Sequence, residues 1–405
     1  MTFRLALSGL NAAQADLGVT ANNIANTSTT GFKRSRAEFA ELFAVSPQGV
    51  ASLATGNGVR VSAVAQQFAQ GNIDFTDNSL DLALSGSGFF TVNDGGALAY
   101  TRAGAFKTDA SGYVVNAQGQ RLQVYPPMDG GIFNTGALTD LRLITSESAP
   151  AATSNVEMLM NLPSNATAPV NSNFSPSDPT SYNRATSLTV YDSLGAAHTA
   201  TMYFVKTGTA GGWESHLSLD GTPVGGAQAL TFSNTGVMTS PVNGEINFGT
   251  YPPATGAADM DVTFNFAGAT QYGESFSVNS VTQDGYTTGR LIGMDIDKSG
   301  VVQARFTNGR SLTLGQVALS NFANPDGLQQ LSDTAWAETF GSGQALRGQA
   351  GNSGFGLIQS GALEASNVDI TAQLVNMITA QRNFQANAQM ISTTDQITQT
   401  IINIR

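Results

Sequence analysis

The sequence predicts a multidomain α+β protein: coiled-coil helices at the amino and carboxyl ends, and between them two mainly antiparallel β domains, the outer one inserted into the inner one. Three observations lead there. Apolar residues recur every three or four positions at both ends, short alternating runs bounded by Gly and Asn fill the middle, and a Ser/Asn/Pro-rich stretch divides that middle in two.

At the amino end the spacing runs through Phe3, Leu7, Leu10, Leu17 and Ile24, with Gln14 and Ala21 in the remaining positions. This predicts an amphipathic helix about 35 Å long. Asn22, Asn23 and Asn26, then the run from Thr27 to Gly31, are poor helix interior and good punctuation, so the helix should stop there. An extended arm is expected over residues 31–70. The carboxyl end has neither Pro nor Gly from Asn367 to Ile404, and its apolar residues fall at Ile370, Leu374, Met377, Phe384, Ala388 and Ile391. One helix of about 55 Å follows, with Ser366 or Asn367 as N-cap and Asp369 in its first turn. Residues 1–30 and 362–405 together form the expected helical domain.

Residues 71–361 read as antiparallel β structure. Gly112-Tyr-Val-Val-Asn-Ala-Gln-Gly119 is an expected strand, and Val301–Phe306 closing on Asn308-Gly309 is an expected hairpin. The connector-like stretch Ser146–Tyr182 and the return near Val281–Arg290 place an inner domain at 71–148 and 283–361, with the outer domain at 149–282.

Charged residues make up 12% of the chain, about half the usual share, and the net charge is -11. A field of that sign repels nucleic acid and anionic lipid, and Lys33, Arg34 and Arg36 are the largest basic cluster. There is no cysteine, so no disulfide or thiolate site exists. The apolar run at the amino terminus is broken by Ser8, Gly9 and Asn11 and fails as a secretory signal. No stretch approaches the roughly 20 apolar residues of a membrane span.

Groups able to do chemistry are few. His198 and His216 are the only histidines and lack metal-ligand spacing. Gly86-Ser-Gly88 and Gly341-Ser-Gly343 lack the nucleophile-elbow pattern and read as turns. Asp295-Ile-Asp-Lys-Ser-Gly300 imitates the start of a calcium loop, but Phe306 stands where a bidentate Glu belongs. Asp74, Asp77 and Asp81 read as solvated carboxylates. No catalytic, cofactor-binding or metal residue is expected, and the chain is read as a non-enzyme.

The terminal helices are the unusual part. From Leu363 to Arg405 the charges are Glu364, Asp369, Arg382, Asp395 and Arg405, and residues 1–30 hold only Arg4 and Asp16. A helix apolar on one side and barely charged on the other is expected to be covered on both. The eleven apolar positions named above are therefore the expected polymerisation surface.

The motifs at these ends resemble known ones. Leu7-Ser-Gly-Leu-Asn-Ala, Val19-Thr-Ala-Asn-Asn-Ile-Ala-Asn26 and Thr30-Gly-Phe-Lys33 are similar to the amino-terminal signature of the flagellar rod and hook proteins. Gly361-Ala-Leu-Glu-Ala-Ser-Asn-Val-Asp369 and Leu374-Val-Asn-Met-Ile-Thr-Ala-Gln-Arg-Asn-Phe-Gln-Ala-Asn387 resemble its carboxyl-terminal partner. Leu80-Asp-Leu-Ala-Leu-Ser-Gly-Ser-Gly-Phe-Phe90 and Tyr100-Thr-Arg-Ala-Gly-Ala-Phe106 match between them. Carried over position by position, the motif residues are Asn22, Asn23, Asn26, Gly31, Phe32, Gly88, Phe89, Phe90 and Asn367. The inserted 149–282 and Asn321-Phe-Ala-Asn-Pro-Asp-Gly-Leu328 resemble the hook branch more than the shorter rod branch.

The resemblance implies a structural subunit that polymerises into a curved, flexible tube, the joint passing torque from rod to filament around an export channel. It implies further copies of the chain as the main partner. The distal rod, hook cap, hook-filament junction protein and flagellar type III export apparatus are the others, with no nucleic acid and no membrane insertion. It also implies an extracellular position reached without a cleavable signal. A distal-rod-like subunit and a β-rich surface adhesin are the competing readings.

Overall fold

The computed structural model describes residues 2–42, 56–128, 130–143 and 147–403. It has one long helix near each end of the chain and mainly antiparallel sheet between them. Two compact units form: Met1–Ile144 with Gly293–Arg305 and Ser311–Arg405, and Thr145–Ile292 with Phe306–Arg310.

In the first unit, helix α1 spans Thr2–Ala25 and helix α2 spans Ile370–Asn403. After α1 the chain is more than an extended arm. Strands β1 (Ser35–Glu41) and β2 (Val59–Gln66) pair antiparallel with a bulge at Glu38/Phe39, while residues 43–55 of the expected arm lie outside the described residues. The hairpin is fastened at both ends: Ser8 Oγ accepts from Val59 N at 3.3 Å, and Trp336 Nε1 donates to Gln66 Oε1 at 2.5 Å.

The body of this unit is a sheet whose spine runs Val301–Phe306, Ser311–Val317, Arg121–Tyr125, Phe89–Asp94, Ala97–Thr101 and Ala335–Ala337. Its core gathers Leu84, Phe90, Val92, Leu122, Val302, Val317, Leu319 and Ile358, all fully buried. Each such side chain contributes roughly 1.5–3 kcal/mol of transfer free energy. Phe89, Tyr100, Phe322 and Trp336 form a second cluster with edge-to-face rings. Leu82–Ser85 pairs with Leu357–Ser360, and Ile73–Phe75 with Ala362–Glu364, so the segment leading into α2 runs beside the segments that enter the β body.

The expected hairpin at Asn308-Gly309 forms, with Arg305 opposite Ser311 and Gly309 at φ 78. The strand expected over 112–119 does not run its length; only Val114–Val115 is strand. Asp109 accepts from Ser111 and Tyr113 N, and Asn116 from Gln118 and Gln120 N, so short polar side chains turn the backbone at both ends of the pair.

The second unit is two sheets on one core. Arg184–Tyr191, Ala197–Lys206, Gly212–Leu219, Thr222–Phe232 and Met238–Ser240 follow one another as an antiparallel meander. The other sheet orders Glu245–Tyr251, Met260–Asn265, Asn155–Asn161 and Ser277–Gln283, with one parallel pair between Asn155–Asn161 and Met260–Asn265. Alternation is visible in Ala197–Lys206, where His198, Ala200, Met202 and Phe204 point inward. Met158, Met160, Trp213, Phe264 and Phe266 complete the shared core.

Candidate functional site

The two helices pack against each other antiparallel. Asn23 Nδ2, near the end of α1, donates to Gln373 Oε1 near the start of α2 at 3.2 Å, while Gly9 faces Asn387. On that register the last turns of α2, from Gln396, extend past the start of α1.

Small residues make the α1 side of this seam. Ala6, Ala13 and Thr20, seven apart, are buried with Ala12 and Asn23; Leu10, Leu17 and Ile24 are half-buried beside them. Phe3 and Leu7 stay exposed. A Cβ on Gly9 would run into the Asn387 side chain, which shows how closely the two helices approach at this point. On α2 the seam follows the seven-residue spacing: Gln373 and Ala380 are buried, and Met377, Phe384, Ala388 and Ile391 are half-buried. Ile370 and Leu374 lie outside it, beside exposed Val375 and Ile378. Of the eleven expected surface residues, then, the structure places seven in or beside the intramolecular seam. The other four, Phe3, Leu7, Ile370 and Leu374, stand in the open.

The motif residues tie the helices to the β body. Asn22 O receives the backbone and side-chain N–H groups of Asn26, ending α1. Asn23 Oδ1 accepts from Ser35 N and its amide donates to Ser35 O, both at 2.8 Å. Gly31 has φ 69, and a Cβ there would collide with the Arg102–Ala103 backbone. Phe32 is buried. Gly88 has φ 120 and precedes Phe89 and Phe90, both core residues. The expected N-cap is corrected: Asp369 Oδ1 accepts from Thr371 and Ala372 N, so Asp369 caps α2. Asn367 is occupied elsewhere, accepting from Arg34 N and donating to Gln67 O and Ala69 O.

At the centre of this junction is a charge cluster that pattern reading of the sequence passes over. Glu364 has no exposed side-chain surface; its Oε1 accepts from Lys33 Nζ at 2.5 Å and Gly71 N at 2.9 Å, its Oε2 from Arg102 at 3.2 Å. Burial lowers the pKa of both cations, and Glu364 opposes that shift. The available signal was three charged residues, one in each of the three motif segments, in a chain so poor in charge.

The residues weighed for chemistry are otherwise engaged. His198 is buried between two carboxylates, Nδ1 at 2.6 Å from Asp220 and Nε2 at 3.3 Å from Asp192, so neither ring nitrogen is free to act as a base. His216 stacks on Phe174 with ring centroids 3.8 Å apart. Asp297 accepts from Ser299 N, Ser299 Oγ and Val301 N, and Asp295 pairs with Arg305, which makes the calcium-like stretch a polar hairpin turn. Asp81 accepts from Thr76 and Asn78.

Four family models match in chain order: the flagella basal body rod protein at residues 3–33, the flagellar hook protein FlgE/F/G D1 domain at 83–168, the flagellar basal body protein FlaE D2 domain at 161–286, and the flagellar basal body rod FlgEFG protein C-terminal at 359–404. The flagellar hook protein FlgE of Salmonella typhimurium is 40% identical over 419 residues, covering 100% of both chains. The chain belongs to the flagellar hook protein family. Its hook relatives include FlgE of Escherichia coli, 39% identical with 100% of both chains covered, and of Borreliella burgdorferi, 32% identical with 98% of both covered. The crystal structure of the Helicobacter pylori flagellar hook protein FlgE2 shares the fold with TM-score 0.54 and 15% identity, over 72% of this chain and 100% of that one. The hook reading holds over the rod reading within the family and over the adhesin reading outside it.

Proposed function

We propose that this hook subunit polymerises through its two chain ends, the terminal helices forming a coiled-coil layer that lines an export channel in a curved, torque-bearing tube. The observation that carries this is what the helix pair leaves bare. Phe3, Leu7, Ile370, Leu374, Val375 and Ile378 are exposed, as are Ile397 and Ile402 on the overhanging end of α2. Helix faces that apolar and that poor in charge are suited to burial against other copies. Each large side chain so covered contributes roughly 1.5–3 kcal/mol before the entropy of ordering is subtracted.

Heterologous contacts repeated around an axis that does not close give an open helical tube. The distal rod, hook cap, hook-filament junction and export-apparatus partners come with the resemblance, as does an extracellular position reached without a cleavable signal. Concentrated full-length protein should form tubes visible by electron microscopy. Leu374→Asp, which puts a charge on a face that is 47% exposed in the single chain, should block them and leave the monomer's circular dichroism and melting unchanged. Normal tubes from that variant would refute the role given to the helices.

A further inference from the structure

The cluster around Glu364 joins three segments distant in the chain. Lys33 follows α1, Glu364 precedes α2, and Arg102 belongs to the β body. Their remaining hydrogen bonds go to connecting backbone: Lys33 Nζ to Ala69 O and Arg102 to Gly86 O, both at 2.8 Å. Gly31 N donates to Glu364 O at 2.8 Å, and Phe32 O accepts from Asn367 N, so both helix connectors are threaded through the same few residues. The body has its own apolar core, made of other residues. One carboxylate faces two cations with no solvent between, so removing it leaves two buried like charges unpaired.

We propose that Glu364 is a positioning residue for tube assembly: its buried carboxylate clamps Lys33 and Arg102, and so holds the helix pair to the β body in the one attitude that can polymerise. None of the three charges reaches the surface, so the effect acts through the helices and not through a contact between copies. The proposal rests on the polymerisation reading above.

The test uses full-length Glu364→Gln beside the double variant Lys33→Met/Glu364→Gln, which restores the original surplus of one buried positive charge. In Glu364→Gln, tube yield should fall about tenfold or more, and protease should cut the connectors at 26–34 and 365–369 faster by a similar factor. The β body should stay folded, with its circular dichroism unchanged at assembly temperature. The double variant should recover most of the connector protection. Unchanged tubes and protection in Glu364→Gln would overturn the proposal. So would loss of the β body together with the connectors, since the cluster would then serve only the fold. A wild-type chain that forms no tubes would sink the polymerisation reading instead, and the connector cleavage would still decide the clamp.

Discussion

His198 illustrates how a group that looks chemical in the sequence becomes structural in the fold. Burial lowers its pKa, and hydrogen bonds to Asp220 and Asp192 outweigh that and raise it. Burial raises Asp192, but hydrogen bonds from Thr255, Ala196 N, His198 and Leu194 N hold it at about 2. The raised histidine contributes stability that is fully present below its unfolded value of 6.5 and is lost as pH rises through the folded value. His216 has the opposite sign: burial lowers it, so its contribution is present above 6.5 and lost as pH falls through the folded value. The second unit should therefore be most stable near pH 6.5 with respect to these two groups. His198→Gln should lower its stability by roughly 1.5–3 kcal/mol at pH 6 and by less at pH 9, without abolishing tubes. Melting curves across that range check the sign, and a larger loss at pH 9 than at pH 6 would contradict it.

Glycines on α1 separate helix propensity from packing. A Cβ at Gly18 meets nothing within 4 Å, whereas one at Gly9 meets the Asn387 side chain. Gly18→Ala should stabilise the helix pair by about 0.5–1 kcal/mol, and Gly9→Ala by less, because the end of the Asn387 side chain must swing aside to admit the Cβ. Hydrogen exchange of α1 amides distinguishes them; equal protection in both variants would mean the close approach at Gly9 is not real. The same experiment reports on the overhang. Amides from Gln396 to Asn403 have no helix partner among the described residues, so they should exchange fastest in α2 of the monomer and become protected in tubes.

Between residues 148 and 289 the chain leaves and returns at one place, since Ser148 N donates to Gly289 O at 2.8 Å and the two residues form an antiparallel bridge. A short Gly/Ser linker in place of residues 149–288 therefore bridges a small gap, and the remaining chain should keep the first unit's core. Its β circular dichroism signal and the buried state of Trp336 should persist. Aggregation, or an exposed Trp336 by fluorescence, would show that the first unit depends on the second.

Local regularities survive in a sequence because neighbouring residues carry them. The helix stop at Asn22–Asn26, the Asn308-Gly309 hairpin, the long second helix and the motif order that marks the family were all legible for that reason. On α2 the expected stripe largely forms the seam; what the residues could not announce was which face of α1 turns inward. The large apolar stripe of α1 is the natural candidate by transfer free energy, yet the seam is built on Ala6, Ala13 and Thr20, because close approach of two backbones favours small side chains. The N-cap moved to Asp369 because Asn367 has partners from residues 34, 67 and 69. Lys33, Arg102 and Glu364 lie up to 331 positions apart, and no spacing rule links them. Their meeting depends on long-range strand pairing and burial, which exist only once the chain has folded.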